Sequence, residues 1–383
     1  MKLLIANYEY PPLGGGAGVC TRYHAEGLAA LGHEVTVITA WFPGEEKRSL
    51  SGRLRIIRVP SKRKFIHKSN PPEMYSWVRE SRKCFAAELS QETWDLCLTN
   101  FAIPGGLFAE TLRRKYSIPY VIISHGQDIP WFFPGQLLLY HMIFYFRIAS
   151  LLRHSIANIM LTRHMQDAAG KLLPPDLRSR NHIIPSGCDT ALFTPDYSRR
   201  SAGFSILFTG RLRGQKDPMC FLKAMRILNE KGIEFSATIL GDGPLRGKME
   251  ARIRKYGLQQ RVSITGWVNK ERMLEAYRSS SVMVSVSKDE GMSIAILEAL
   301  SAGLYVIATP ASGNPEMIRP GINGELIPFS DPERLAQELI RFQQEKFSRG
   351  YRIPAEDLEN FRQQYDWSGI VAQYDQLIRT LLP

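Results

Sequence analysis

Val282-Met283-Val284-Ser285-Val286-Ser287-Lys288-Asp289-Glu290-Gly291-Met292-Ser293-Ile294-Ala295-Ile296-Leu297-Glu298-Ala299-Leu300-Ser301-Ala302-Gly303 is the stretch that decides the fold. Val282 to Ser287 reads as a buried strand, and Ser293 to Ser301 as a helix that Gly303 stops in the left-handed conformation. Glu290 then falls on the strand-to-helix turn, and Glu298 about two helical turns further on. Between them, the turn at Met292 and Ser293 offers amide N–H groups at a helix N-terminus, which suits phosphate. Two carboxylates flanking an anion site fit a ligand with hydroxyls on both sides of a diphosphate, the layout of a nucleotide sugar. The alternative makes Glu290 a complement to the helix dipole and turns Glu298 to solvent. The apolar neighbours Ile296, Leu297, Ala299 and Leu300 weaken it, because an unpaired carboxylate among them is costly.

A second constellation weakens it further. Phe204 to Thr209 reads as a strand running into Gly210-Arg211-Leu212-Arg213-Gly214-Gln215-Lys216-Asp217-Pro218. Asp217 has the character of an N-cap with Pro218 at the first helical position. Arg211 and Lys216 therefore lie in a strand-to-helix loop, where open α/β sheets bind ligands. A guanidinium fork and a flexible ammonium together suit a diphosphate. Arg213 reads as ordinary surface charge.

Strands and helices alternate along the whole chain, as in doubly wound sheets. Lys2 to Ala6, Glu34 to Ala40, Asp95 to Thr99, Tyr120 to Ser124 and Ile156 to Leu161 read as parallel strands of one half. Phe204 to Thr209, Phe235 to Leu240, Val262 to Thr265, Val282 to Ser287 and Tyr305 to Ala308 do so in the other. The polar segment Phe193 to Arg200 marks the crossing, and 383 residues are natural for two domains. His125 sits at the carboxyl end of a strand, on the ligand side of such a sheet. His24, His33, His141 and His154 read as structural.

In order along the chain come Gly14-Gly15-Gly16-Ala17-Gly18, Gly32-His33-Glu34-Val35, His125-Gly126-Gln127-Asp128, Ile184-Pro185-Ser186-Gly187, Gly210-Arg211-Leu212 with Lys216, Gly241-Asp242-Gly243-Pro244, Gly266-Trp267-Val268 and the Glu290/Glu298 segment. In this series the chain resembles the retaining glycosyltransferases of family 4. The resemblance implies the α/β GT-B fold, two Rossmann-like doubly wound domains facing a deep interdomain cleft. It implies an acceptor-side domain over residues 1–195, to which a helix of about residues 367–383 returns, and a donor-binding domain over 200–365. A UDP- or GDP-sugar would be held by Gly15, Gly16, Arg211, Lys216, Gly241, Asp242, Val268, Glu290, Met292, Ser293 and Glu298. His125, Glu290, Arg211 and Lys216 would carry catalysis, and Asp128 would orient His125, touch the acceptor or act as its base. The acceptor would be a glycan or a lipid-linked hydroxyl, in cell-surface polysaccharide or glycolipid synthesis.

Retention by two carboxylates needs a pair about 5 Å apart, one of them a nucleophile. Neither half offers an obvious nucleophile, so the resemblance implies a same-face displacement stabilised electrostatically. No Asp-x-Asp motif occurs, and cationic side chains are expected to stand in place of a metal, with no cofactor. Two readings of the same architecture stay open, a sugar-nucleotide epimerase and a non-catalytic sugar-nucleotide-binding subunit. The reading as a dinucleotide oxidoreductase is disfavoured: Gly14-x-Gly16-x-Gly18 departs from its glycine spacing, and Ile38-Thr39-Ala40 ends without an acidic residue.

Five scattered cysteines without a Cys-x-x-Cys pair indicate neither a disulfide framework nor a zinc site. Met1-Lys2-Leu3-Leu4-Ile5-Ala6 enters a strand directly, so a cytoplasmic location is expected. The net charge is +12, yet no nucleic-acid-binding motif is visible. Lys47, Arg48, Arg53, Arg55, Arg58, Lys62, Arg63, Lys64 and Lys68 crowd one segment and fit either anionic lipid or a solvated face. Trp131-Phe132-Phe133 and Leu137 to Phe146, broken at Pro134 and Gly135, are too short to span a bilayer and read as a buried helix. The entry of that helix could still present aromatics to a membrane interface.

Overall fold

A computed structural model describes residues 1–66, 69–133 and 138–382. They form two compact units, Met1–Ser186 with the tail from Trp367, and Gly187–Asp366.

The first unit is built on β1 (Lys2–Ala6), β2 (Glu34–Ala40), β3 (Arg48–Ser51), β4 (Leu54–Val59), β5 (Leu96–Asn100), β6 (Tyr120–Ile123), β7 (Ala157–Met160) and β8 (Asn181–Ile183). The order across the sheet is β3-β4-β2-β1-β5-β6-β7-β8, with only β3 antiparallel to its neighbour. Between the strands run α1 (Gly16–Ala30), α2 (Pro71–Cys84), α3 (Gly106–Tyr116), α4 (Leu138–His154) and α5 (Arg163–Gly170). Leu3, Leu4, Ile5 and Ala6 are all buried, as expected of a parallel strand covered on both faces. From β1 the chain winds one way to β2 and β4, then returns to lay β5 on the other side.

The second unit repeats the logic with β9 (Ser205–Thr209), β10 (Ser236–Leu240), β11 (Val262–Gly266), β12 (Val282–Ser285), β13 (Tyr305–Ala308) and β14 (Gly324–Leu326). All are parallel, in the order β11-β10-β9-β12-β13-β14. The helices are α6 (Pro218–Glu230), α7 (Arg246–Lys255), α8 (Lys270–Ser279), α9 (Ile294–Ser301), α10 (Asn314–Met317), α11 (Pro332–Glu345) and α12 (Ala355–Tyr365). Here the strand order reverses between β9 and β12.

A final helix, α13 (Trp367–Leu381), buries Trp367, Ile370, Val371, Tyr374 and Ile378 at helical spacing. It packs on α1: Trp367 stacks on Tyr23 with ring centroids 4.7 Å apart, and a Cβ on Gly27 would lie 2.7 Å from Val371. His33 Nε2 meets Asp375 Oδ1 at 2.7 Å, so this turn histidine helps fix the last helix.

Four expectations change. The division falls at Ser186–Gly187, not near residue 195. Residues 187–195 pack with the second sheet because Cys188 N bonds Tyr365 O, Phe193 is buried against Tyr277, and Ser301 Oγ donates to Phe193 O. Secondly, β3, β4, β8 and β14 were not foreseen; Arg48-Ser49-Leu50-Ser51 is a polar edge strand without an apolar signal, arginines interrupt the apolar run of β4, and β8 and β14 are only three residues each. Thirdly, the basic segment is not one open cationic face. Glu88 holds Arg48, Glu92 holds Arg55, Glu45 holds Arg58, and Arg63 is buried beside Glu9. Lys68 lies outside the described residues. Fourthly, α4 is buried on one side only: His141, Ile148, Ala149, Leu151 and Leu152 face in, while Leu139, Ile143 and Phe146 face out. Pro134, Gly135 and Leu137 lie outside the described residues.

Candidate active site

Ligands of open α/β sheets collect at the carboxyl ends of the strands, where the order reverses. In the second unit that point lies between β9 and β12. Arg211 and Lys216 follow β9, and Glu290 follows β12. Lys216 Nζ forms an ion pair with Glu290 Oε2, which Ser287 Oγ approaches at 3.4 Å. The two loops are stapled together, Lys288 N to Gln215 O at 2.8 Å and Gln215 Nε2 to Asp289 O at 2.9 Å. Asp217 caps α6 through Cys220 N and also accepts from Ser330 Oγ at 2.7 Å, which anchors the segment just after Lys216. Arg211 is exposed on the same loop.

Beside this point three strands end in glycines packed backbone to backbone. Gly241 N donates to Gly266 O at 2.9 Å, and a Cβ on Gly241, at φ +149°, would meet Gly210 O at 2.0 Å. Only glycine fits there. Asp242 is tied within its own turn, to Gly243 N at 2.7 Å and Arg246 Nη1 at 2.8 Å; the Arg246 bond and the Gly243 amide hold its carboxyl below the usual range. Val268 is partly buried, and its neighbour Trp267 is exposed. Met292 and Ser293 are buried at the start of α9, with Ser293 at the N-cap position. From the second turn of α9, Glu298 Oε2 accepts from Tyr277 Oη at 3.1 Å. Burial pushes the Glu298 carboxyl up to about 7, more than the Tyr277 bond draws it down.

The first unit reverses between β1 and β5. Asn100 is the last residue of β5, and His125 follows β6. His125 Nε2 lies 2.8 Å from Asn100 Oδ1, a carbonyl oxygen, which assigns the proton to Nε2 and leaves the lone pair on Nδ1. Burial lowers the His125 pKa to about 4, so the ring is neutral near pH 7. Asp128 accepts from His125 N and Ala102 N, each at 3.0 Å, and its carboxyl is raised by burial. Both of its oxygens therefore hold backbone, fixing the His125 loop against the segment after β5.

After β1, Gly15 N donates to Glu9 Oε2 at 3.3 Å, and Tyr8 Oη donates to Glu9 Oε1 at 3.0 Å. The Gly15 amide, expected to meet phosphate, is thus directed at an internal carboxylate. Gly16 opens α1. Gly14 sits at φ +96°, where a Cβ would lie 2.4 Å from Glu9 Oε2. Glu9, Asn100, Gln215 and Tyr277 escaped the sequence reading. Only Asn100 left a signal there, as the polar end of the buried run Leu96-Cys97-Leu98-Thr99-Asn100.

Two doubly wound units, each with polar groups gathered at its strand-order reversal, define the GT-B class of glycosyltransferase. The family model described as Glycosyltransferase Family 4 matches residues 14–192, and that described as Glycosyl transferases group 1 matches residues 195–361. The chain is a family 4-type glycosyltransferase. It is 23% identical to a subunit of phosphatidylinositol N-acetylglucosaminyltransferase from Arabidopsis thaliana, over 98% of this chain and 82% of that protein. Sucrose-phosphate synthase from Thermosynechococcus elongatus shares its fold with a TM-score of 0.84 at 20% identity, covering 100% of this chain and 99% of that one. HepE of Anabaena, solved in complex with UDP-glucose, does so with a TM-score of 0.76 at 16% identity, covering 99% and 100%. Among the described residues no helix is long and apolar enough to cross a membrane.

Proposed function

We propose that this glycosyltransferase moves a sugar from a UDP- or GDP-sugar to an acceptor hydroxyl with retention of configuration, using neither a metal ion nor a cofactor. The observation that carries the reading is the Lys216–Glu290 pair at the β9/β12 reversal, with Arg211 on the same loop. When the sugar–phosphate bond stretches, negative charge grows on the diphosphate. Lys216, Arg211 and the Met292–Ser293 amides of α9 stabilise it, in the manner of a fixed electrostatic hole. Glu290 leaves Lys216 to accept from the sugar hydroxyls, and Glu298 accepts from the ribose hydroxyls. Gly241, Asp242 and Val268 line the nucleotide side through backbone. UDP-glucose in HepE supports a uridine nucleotide as the first donor to try.

His125, neutral and held by Asn100, hydrogen-bonds the donor sugar. Asp128 acts through His125 as a positioning residue, since both oxygens hold amides. Glu9 is likewise engaged by Gly15 and Tyr8, so neither of these two carboxylates at the β1/β5 reversal is poised as a nucleophile. That supports a same-face displacement through an oxocarbenium-like sugar over a covalent intermediate. The lipid-named relative supports a glycolipid or polysaccharide acceptor, lipid-linked or glycan.

The test is incubation with candidate nucleotide sugars, reading nucleoside diphosphate release with and without acceptor and the anomeric configuration of the product. Acceptor-dependent release with retention is expected. Release without acceptor and with an epimerised sugar makes the chain an epimerase, and binding without turnover makes it a non-catalytic subunit.

A further inference from the structure

From the shape and charge of α4 we infer that its outer face is a docking surface for an anionic lipid bilayer. Leu138, Leu139, Met142, Ile143 and Phe146 are 55%, 70%, 60%, 64% and 83% exposed. At 100° per residue they share one side of the helix, and the opposite side carries the buried His141, Ile148, Leu151 and Leu152. Exposed large apolar side chains scattered singly are ordinary; a continuous stripe is a binding surface. Trp131 is 45% exposed, with its ring 6.0 Å from that of His141 on the inner side of the helix.

The occupant follows from the charge. Beyond Phe146 the helix exposes Arg147, Arg153 and His154, and its sequence Leu138–His154 contains no acidic residue. Arg82 of α2 lies within electrostatic reach of both Arg147 and the exposed Tyr75. An apolar plug backed by cations on long stems matches the acyl–headgroup boundary of an anionic membrane, with the arginines reaching up to phosphate. A second copy fits badly, because a two-fold contact along α4 would bring arginines together with no carboxylate on either helix to meet them. The surface is distinct from the basic strands β3 and β4, where Glu88, Glu92 and Glu45 hold the arginines. The helix is too short to span, so the contact is interfacial.

The experiment is flotation of the full chain with vesicles of phosphatidylglycerol and phosphatidylcholine, against phosphatidylcholine alone, with a melting curve for each variant. The wild type should float with the anionic vesicles and far less with the neutral ones. Phe146→Ser should lower partitioning about tenfold and Ile143→Ser with Phe146→Ser about a hundredfold, since each buried apolar side chain carries roughly that factor. Arg147→Ser should lower it about fivefold, a loss that salt reproduces. The melting curves should hold, because these side chains are exposed. Wild-type protein that ignores anionic vesicles, or a double variant that floats like wild type, overturns the inference. So does a wild-type dimer that the double substitution dissociates in sedimentation, which would assign the stripe to a second copy.

Discussion

At its strand-order reversal the second unit gathers Lys216, Arg211 and Glu290, whereas the first gathers Asn100, His125 and two carboxylates engaged by internal donors. One point holds cationic side chains and the other a neutral imidazole, on sheets wound the same way. Under the proposed mechanism, the difference divides the reaction between the two kinds of group. Charge that develops on a leaving diphosphate needs fixed cations. A sugar hydroxyl needs only a neutral hydrogen-bonding partner in a defined tautomer.

The division sets a hierarchy of effects. Lys216→Ala should reduce turnover on the order of a hundredfold or more, with donor affinity falling less because Arg211 and the α9 amides still hold the ground-state diphosphate. Its melting temperature should barely move, since the Lys216–Glu290 pair is partly exposed and such pairs contribute about 1 kcal/mol or less. Steady-state kinetics beside calorimetric melting reads both. Near wild-type turnover in a stable variant would move the phosphate site elsewhere.

Glu298→Gln should weaken donor binding by about 1.5–3 kcal/mol, the loss of charged hydrogen bonds to ribose, as titration calorimetry would register. The same variant separates the units by pH. Glu298 has its folded pKa raised to about 7, so the unfolded chain loses its proton first, and stability falls as pH rises from the ordinary carboxylate range to about 7. Removing it should stabilise the ligand-free protein at pH 8 by about 2 kcal/mol or less. His125 has the opposite sign. Its folded pKa is lowered to about 4, so its contribution is lost as pH falls from the ordinary histidine value toward 4. His125→Gln should flatten the acid limb, and Glu298→Gln the neutral one; parallel shifts in both would contradict the two environments.

Asn100→Ala frees the Nε2 proton of His125 and should lower turnover about tenfold while leaving donor affinity unchanged, which a split of kcat from KM would display. An equal loss of donor affinity would mean that His125 holds the sugar as strongly in the ground state as in the transition state.

Much of this comparison can be read from residues alone, and unevenly so. The second unit was legible because each functional element is local: a strand, a glycine and a cation within one loop, or two carboxylates two turns apart. Asp217 with Pro218 announced α6, and Gly303 ended α9 with φ +75°. In the first unit the decisive contacts are distant in sequence. Asn100 meets His125 across 25 residues, and Arg63 arrives beside Glu9 from an irregular segment. No periodicity foretells such pairs. The apolar run at α4 misled for a related reason, since periodicity tells which residues share a side but not which side has a neighbour. Glu298 looked buried and unpaired from its sequence; Tyr277, on α8, supplies the partner.

The smallest expected effect is the one that bears most directly on the central claim that side-chain cations, not a metal ion, meet the leaving diphosphate. Nucleotide-sugar turnover measured in excess EDTA, on protein freed of metal beforehand, should equal turnover without chelator. Complete loss on chelation, restored by magnesium or manganese, would contradict the claim and assign the diphosphate charge to a metal ion.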